Sequence, residues 1–279
     1  MKFLIVGVNS LLGSALEKAL SKKGHTVIGT RRRVSDKSNS LQFDLSTSPE
    51  NWPDWPLDID AVFIAAAVTS QEVCLKDPEY ADFINVSQTL LLIEQLRNLG
   101  THILYPSTNL VLPCIRTDQS VETAYGPIGT YGENKATVEK VLRQYEGVTI
   151  ARLPKILDIS HGILRSWSQQ IDEQKTVKVY TNLIVSPVSL AYCMDFLLQL
   201  MVRQPGGIWH LSGAEEFSYA EVAQAFIRSR NYPSGTERLL NYSQMDTSKG
   251  ALPRHPGLDC SETEKVLGIA PQKLDHVFL

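Results

Sequence analysis

Lys2-Phe3-Leu4-Ile5-Val6-Gly7-Val8-Asn9-Ser10-Leu11-Leu12-Gly13 is the stretch on which the fold turns. Lys2–Val6 is a short β-rich run, and from Ser14 to Lys22 the pattern changes to helical. There Leu16, Ala19 and Leu20 form one apolar stripe, while Glu17, Lys18 and Lys22 face out. Gly24 stops that helix. The loop between strand and helix carries Gly7, which permits a tight turn, and Gly13, which lets the helix pack close to the strand. A helix N-terminus offers unpaired N–H groups and partial positive charge, the chemistry that holds a phosphate. The usual fingerprint of such a loop has a third glycine between these two, and Ser10 takes its place here. The loop therefore reads either as a helix start with incidental glycines or as a dinucleotide cradle. Its place after the first strand favours the cradle.

Working outward, the same alternation continues. Strands are expected at Thr26–Gly29, Ala61–Ala66, His102–Tyr105 and Val148–Arg152, with helices at Tyr80–Leu99 and Tyr131–Tyr145. Ala61–Ala66 is apolar throughout, as a strand buried on both faces must be. Strand–helix alternation implies an α/β fold, a Rossmann-type doubly wound parallel sheet that binds ligands beyond the carboxyl ends of its strands. The alternation weakens after Pro154. Residues 1–153 read as the dinucleotide-binding domain, with its sheet completed by parts of 178–213. Residues 154–279 read mainly as a smaller, interleaved substrate lobe. In that half Gly206–Leu211 reads as a strand, Leu190–Val202 as a core helix and Phe217–Ser229 as a helix capped by Ser218. Cys260–Gly268 reads as a short helix opened by a Ser261/Glu264 capping box, and Ser229–Pro256 as a polar, turn-rich stretch.

Bulk properties narrow the function classes. At 27 basic and 30 acidic residues the formal charge is −3, which gives no footing for nucleic acid or an anionic membrane. The opening apolar run is too short for a signal peptide or a membrane span. Cys74, Cys114, Cys193 and Cys260 are scattered without metal-type spacing and suit a reducing cytosol. The six histidines show no ligand spacing either, so no metal is expected. Trp52 and Trp55, in a proline-rich loop, read as packing under that loop.

Two further stretches carry chemistry. After the second strand, Gly29-Thr30 runs into Arg31-Arg32-Arg33, where an NAD binder places an acid for the ribose 2′-hydroxyl. A basic turn in solvent would look the same. Its position favours a guanidinium grip on a 2′-phosphate, hence NADP(H) in preference to NAD. Asp44, after a third short apolar segment, reads either as an acceptor for an adenine amino group or as a turn starter. Tyr131-Gly132-Glu133-Asn134-Lys135 places a phenol and an amine on one helix face. A free phenol, with a pKa of about 10, is a poor acid–base group at neutral pH. A neighbouring ammonium favours the phenolate, so Lys135 is expected to pull Tyr131 down. Thr108, after the fourth clear strand, is placed to hydrogen-bond a substrate oxygen.

On these residues the chain resembles the extended short-chain dehydrogenase/reductases, and within them the dTDP-4-dehydrorhamnose reductase group with its sugar-nucleotide relatives. The likeness includes the Gly7–Gly13 loop, Phe43-Asp44-Leu45, Ala65-Ala66-Ala67-Val68-Thr69 and Asp82-Phe83-Ile84-Asn85-Val86. It continues through Pro106-Ser107-Thr108-Asn109, the Tyr131–Lys135 motif and, more weakly, Gly207–Gly213 and Pro253-Arg254-His255-Pro256. The resemblance implies a catalytic set of Thr108, Tyr131 and Lys135, with Asn85 supporting the lysine through water. It implies a dinucleotide along Gly7, Asn9, Ser10, Leu11, Leu12, Gly13, Thr30, Arg31, Arg32, Asp44, Leu45, Ala65, Ala66, Ala67, Ser107, Tyr131, Lys135 and Leu153. Thr69, Thr108, Asn109 and Arg254 would meet the substrate.

The implied activity is reduction of a keto sugar nucleotide by NADPH, in the cytosol, by a possible homodimer. Asn109 departs from the usual aspartate of the group, and Asn109-Leu110 lacks the Asp-Glu pair of the 4,6-dehydratases, which argues against dehydration. Arg152-Leu153-Pro154-Lys155 replaces the Arg-Thr-Ser-Trp stretch. Two alternatives stand beside the reductase. One is a sugar-nucleotide epimerase with a tightly held NAD. The other is a non-catalytic NADP-binding subunit, because the regulatory subunit of methionine adenosyltransferase resembles the same group.

Overall fold

The computed structural model describes residues 1–33, 40–248 and 251–279. Lys249 and Gly250 of the polar stretch lie outside the described residues.

The apolar runs of the first half become one seven-stranded sheet. Its first six strands in chain order are β1 (Lys2–Val6), β2 (Thr26–Arg31), β3 (Ser40–Gln42), β4 (Ala61–Ile64), β5 (His102–Thr108) and β6 (Val148–Leu153). The strand Gly207–His210 is the seventh, and the spatial order is Gly207–His210, β6, β5, β4, β1, β2, β3. β1 pairs in parallel with both β2 and β4, in the registers Phe3↔Val27 and Phe3↔Ala61. Strand order therefore reverses between β1 and β4, which makes the crevice beyond their carboxyl ends the ligand position of a doubly wound sheet. β4 is buried on all four residues and β5 on all seven, so neither face meets water. Fully burying each large apolar side chain of these strands contributes roughly 1.5–3 kcal/mol.

The chain divides into two compact units. The first comprises Met1–Val111, Gly129–Arg152 and Met194–Trp209; the second comprises Leu112–Ile128, Leu153–Cys193 and His210–Leu279. Residues 112–128, placed with the first domain on sequence, thus cluster with the second unit, and 194–209 cluster with the first. The core of the first unit gathers Leu4, Val6, Val62, Ile64, Leu92 and Ile103. Trp52 and Trp55 meet Phe43 edge-on at 5.4 and 5.2 Å, as plain packing requires. In the second unit three two-stranded ladders (Ile156–Leu157 with Val188–Ser189, Ile184–Val185 with Phe217–Ser218, Val177–Tyr180 with Leu240–Ser243) join the helices Gly162–Asp172 and Tyr219–Ser229. Their shared core centres on Trp167, Tyr219 and Phe226. No helix among the described residues is long and apolar enough to cross a membrane.

Three local expectations need correction. β2 runs on to Arg31, because its parallel pairing with β3 extends past the apolar run, and β5 runs on to Thr108, buried throughout. The helix expected over Tyr80–Leu99 is instead a succession: Pro78–Asp82, a π-helical turn Phe83–Gln88, then Thr89–Arg97. Tertiary contact accounts for the widened turn. The Asn85 amide reaches sideways to Val68, and the Thr89 hydroxyl donates to the Ile84 carbonyl five residues back. Ser261 does not cap the helix Ser261–Leu267; the cap residue is Cys260, and Asp259 accepts the Ser261 N–H at 2.9 Å. Ser218 does cap its helix, in a complete capping box with Glu221.

Candidate functional site

The loop after β1 is built by close approach. Gly7 has φ +93, and a Cβ there would lie 3.0 Å from the Ala66 nitrogen, beyond the end of β4. A Cβ on Gly13 would lie 2.4 Å from the Gly7 carbonyl oxygen and 2.8 Å from the Ser10 hydroxyl. Both positions are closed to any larger residue, as a backbone cradle requires. Ser10 caps the helix α1 (Leu11–Lys22): its hydroxyl accepts from the Gly13 N–H at 3.0 Å and donates to the Gly7 carbonyl at 2.9 Å. The serine thus fits by serving as N-cap, while the amides of Leu11 and Leu12, in the first helical turn, have no partner within their own helix.

Thr30 and Arg31 brace this loop from β2. Thr30 is buried, and its hydroxyl accepts the Gly7 N–H at 3.0 Å. The side chain thus ties the end of β2 to the loop. Arg31 donates from Nε to Ser40 at 3.1 Å and from a terminal nitrogen to Asn9, and its other terminal nitrogen lies 3.8 Å from Glu17. Its guanidinium is held beside the loop, whereas Arg32 and Arg33 are exposed in the bend that follows. Asp44 forms a turn, with one carboxylate oxygen accepting from both the N–H and the hydroxyl of Ser46. Leu45 is buried behind it.

The tyrosine and lysine ride on the helix Gly129–Leu142. Gly132 lets that helix approach the turn after β5, since a Cβ there would lie 2.5 Å from the Leu110 carbonyl oxygen. Thr108 and Asn109 sit at that turn, both buried, with the threonine hydroxyl donating to the Asn109 side chain at 3.3 Å and accepting from the Leu110 N–H at 3.2 Å. Lys135 donates to the Pro106 carbonyl at 2.8 Å and lies 4.3 Å over the Tyr105 ring and 5.9 Å from the centre of the Tyr131 ring. The buried hydroxyls of Tyr105 and Ser107 have no hydrogen-bond partner among the described residues. An unmet buried hydroxyl normally answers to a ligand or a water, and Ser107 was assigned to the cofactor.

The electrostatics of the pair differ from expectation. Burial pushes the Tyr131 phenol above its ordinary range, and negative charge on Cys74 would push it further the same way. Burial pulls the Lys135 amine down from 10.5 to about 7, opposed by Glu139 one turn further along the helix. The expected lowering of Tyr131 by Lys135 is therefore not seen. Desolvation favours the neutral form of both groups, and the amine directs its proton to Pro106.

Asn85 is anchored to the segment after β4. Its amide accepts from the Val68 N–H at 2.8 Å and donates to the Val68 carbonyl at 2.9 Å, with a 3.5 Å contact to Asn134. It fixes the segment after β4, where Ala65, Ala66 and Ala67 lead to the exposed Thr69. Leu153 ends β6, buried, and Arg254 is exposed in the second unit. Below Lys135, Glu139 and Arg152 form an ion pair that sequence reading missed, with both side chains fully buried and a shortest contact of 2.7 Å. The one signal available was a lysine-to-glutamate spacing of four on a helix. No group of three or more potential metal ligands occurs among the described residues.

Comparison with known proteins fits this geometry. The chain is 25% identical over 280 residues to methionine adenosyltransferase 2 subunit beta of Xenopus tropicalis, covering 94% of this chain and 81% of that one. It is 27% identical over 255 residues to dTDP-4-dehydrorhamnose reductase of Escherichia coli K12, covering 86% and 82%. The solved dTDP-4-dehydrorhamnose reductase of Bacillus anthracis in complex with NADP superposes with a TM-score of 0.80 at 17% identity, over 99% of this chain and 97% of that one. The family model described as the RmlD substrate binding domain matches residues 1–276, and the chain belongs to that family.

Proposed function

We propose that the protein reduces a keto sugar nucleotide with NADPH, in the manner of a dTDP-4-dehydrorhamnose reductase. The observation that carries this reading is Tyr131 and Lys135 on one helix face, brought by Gly132 against the turn that holds Thr108. The same sheet carries the cradle at its β1/β4 reversal. The cradle supports a dinucleotide: Gly7 and Gly13 admit no side chain, Ser107 has an unmet hydroxyl, and Arg31 is oriented at the loop. When bound, NADPH supplies hydride to the substrate carbonyl carbon.

The chain's own residues do the rest. Amides of Leu11 and Leu12 bind a pyrophosphate, and Arg31 with Arg32 binds the 2′-phosphate. Ala65, Ala66 and Ala67 line the adenosine side. Thr108 orients the carbonyl oxygen and Tyr131 delivers the proton to it. Lys135 supports that proton transfer in its ammonium form. Thr69, Asn109 and Arg254 contact the substrate, and residues 154–279 act mainly as the substrate-binding lobe. We place the protein in the cytosol as a homodimer, with no nucleic-acid or membrane partner.

The test is NADPH oxidation with dTDP-, UDP-, GDP- and CDP-linked keto sugars. One of them supports turnover, and Tyr131→Phe lowers it at least about 100-fold, the scale of a lost general acid, while NADPH affinity changes less than about twofold. Full activity in Tyr131→Phe would end this reading.

A second reading has its own support. The 25% identity to a methionine adenosyltransferase subunit over 94% of the chain favours a subunit that binds NADP(H) without turning it over. NADPH binding with no oxidation by any keto sugar, and co-purification with a partner enzyme, would decide for it. Stoichiometric tightly bound NAD in the purified protein would instead mark an epimerase.

A further inference from the structure

We propose that the buried Glu139–Arg152 pair is a positioning device for Lys135, which holds the amine in its ammonium form at neutral pH in a site whose burial works against that charge.

Tyr131, Lys135 and Glu139 follow one another at intervals of four on the helix Gly129–Leu142 and so share a face. Glu139 and Arg152 are both 0% exposed. The Arg152 Nε donates to the two Glu139 oxygens at 3.2 and 3.0 Å, and a terminal nitrogen donates at 2.7 Å. Two ions removed from water cost several kcal/mol each to desolvate, and apolar residues of similar volume usually serve a fold as well or better. β6 is buried throughout and otherwise carries only Val148, Thr149, Ile150, Ala151 and Leu153. Packing alone therefore gives no reason for an arginine there.

The pair is not symmetric toward the amine. Glu139 stands one helical turn from Lys135, whereas Arg152 comes from the neighbouring strand and grips the carboxylate. Lys135 thus shares its helix face with the negative member of the pair. Among the described residues, Glu139 is the charge registered at this amine. Tyr131, on the same helix, and Tyr105, from β5, are neutral phenols, and Cys74, from the helix packed against this one, is a buried thiol raised by desolvation. Asp82 is the further carboxylate contributed by that side, and it binds Asn134. Glu139 is the group that raises the Lys135 amine against burial. Neighbours four apart on a helix have Cβ atoms about 5–6 Å apart, and an opposite charge at about 4–6 Å moves a titrating group by about 1–3 pH units. With Arg152 partly cancelling it, about one unit is expected.

Glu139→Gln alone would strand a buried guanidinium, so the test uses Glu139→Gln with Arg152→Met, which removes both charges together, and Glu139→Asp, which keeps the pair. The first readout is where Lys135 titrates in the folded chain, taken as the pH midpoint of the low-pH step in the slope of the stability difference between each chain and its Lys135→Met counterpart. The double variant moves that midpoint down by about one pH unit, and Glu139→Asp leaves it within about 0.3 unit. The second readout, which rests on the reductase reading, is the alkaline limb of NADPH turnover, expected to move down by the same amount. A folded double variant with an unmoved midpoint overturns the proposal. A shifted midpoint without turnover in any chain leaves the device standing and removes the reductase reading instead. Failure of the double variant to fold, with Glu139→Asp stable, would show the pair to be a requirement of the fold and would overturn the proposal as well.

Discussion

Replacing Lys135 with methionine should make the protein more stable at pH 6 and less so, relative to its parent, as pH rises. Lys135 is 3% exposed, and burial lowers its amine from 10.5 to about 7. Below about pH 7 both the folded and the unfolded chain hold the proton, so the whole penalty of burying the ammonium is present. Between about 7 and 10.5 the unfolded chain holds more of the proton than the folded one, and the parent gains stability with pH. Multiplying that interval by about 1.36 kcal/mol per pH unit gives about 5 kcal/mol as an upper bound. Methionine removes the penalty and forfeits the hydrogen bond to Pro106, worth about 1.5–3 kcal/mol for a charged donor. The net gain at pH 6 is therefore about 2–3 kcal/mol, or roughly 5–10 °C in Tm.

Paired urea titrations of parent and variant at pH 6, 7, 8 and 9 measure it directly. The difference should be flat up to about pH 7 and then shrink toward zero. A difference that does not change with pH, or a variant less stable than its parent at pH 6, would refute the reasoning. Either result would mean that the amine keeps its ordinary titration despite its burial.

Three further outcomes follow from the site. Gly13→Ala puts a Cβ at 2.4 Å from the Gly7 carbonyl, so calorimetry should show a loss of about 1–3 kcal/mol and fluorescence titration should show NADPH binding abolished. Arg31→Ala removes a guanidinium held by Asn9 and Ser40; the NADPH Kd should rise about 10- to 100-fold, the scale of a lost charged hydrogen bond, with the NADH Kd nearly unchanged. Asn85→Ala cuts both backbone contacts to Val68; global stability should fall by about 2–3 kcal/mol, and hydrogen exchange at the Val68 amide should accelerate more than at β4 amides.

What was legible in the sequence divides by the range of the interaction responsible. β1, the Gly7–Gly13 loop and α1 could be read because their determinants lie within a dozen residues: an apolar run, a glycine at positive φ, a capping serine. The Tyr131–Lys135 face was legible for the same reason, being a matter of helical period. The π-helical turn at Phe83–Gln88 was not, because what widens it is the reach of Asn85 to Val68, seventeen residues away. The inward turn of the Thr30 hydroxyl to Gly7 was not legible either, because sequence gives its place near the end of β2 and not its partner across the sheet.

The same division explains why the shared helix of Tyr131 and Lys135 was foreseen and their charge balance was not. Spacing fixes which side chains share a face, but the state of a phenol or an amine depends on how much water each has lost and on ions brought from elsewhere in the fold. Glu139 and Arg152 illustrate the limit. On sequence each is an ordinary charged residue, one between Val138 and Lys140 on a helix and the other near the end of an apolar run. Only the packing of that helix against β6 turns them into a fully buried pair beside Lys135. A tyrosine–lysine motif therefore specifies a pair of positions, and the buried ions beneath it decide whether the lysine carries the charge the chemistry needs at neutral pH.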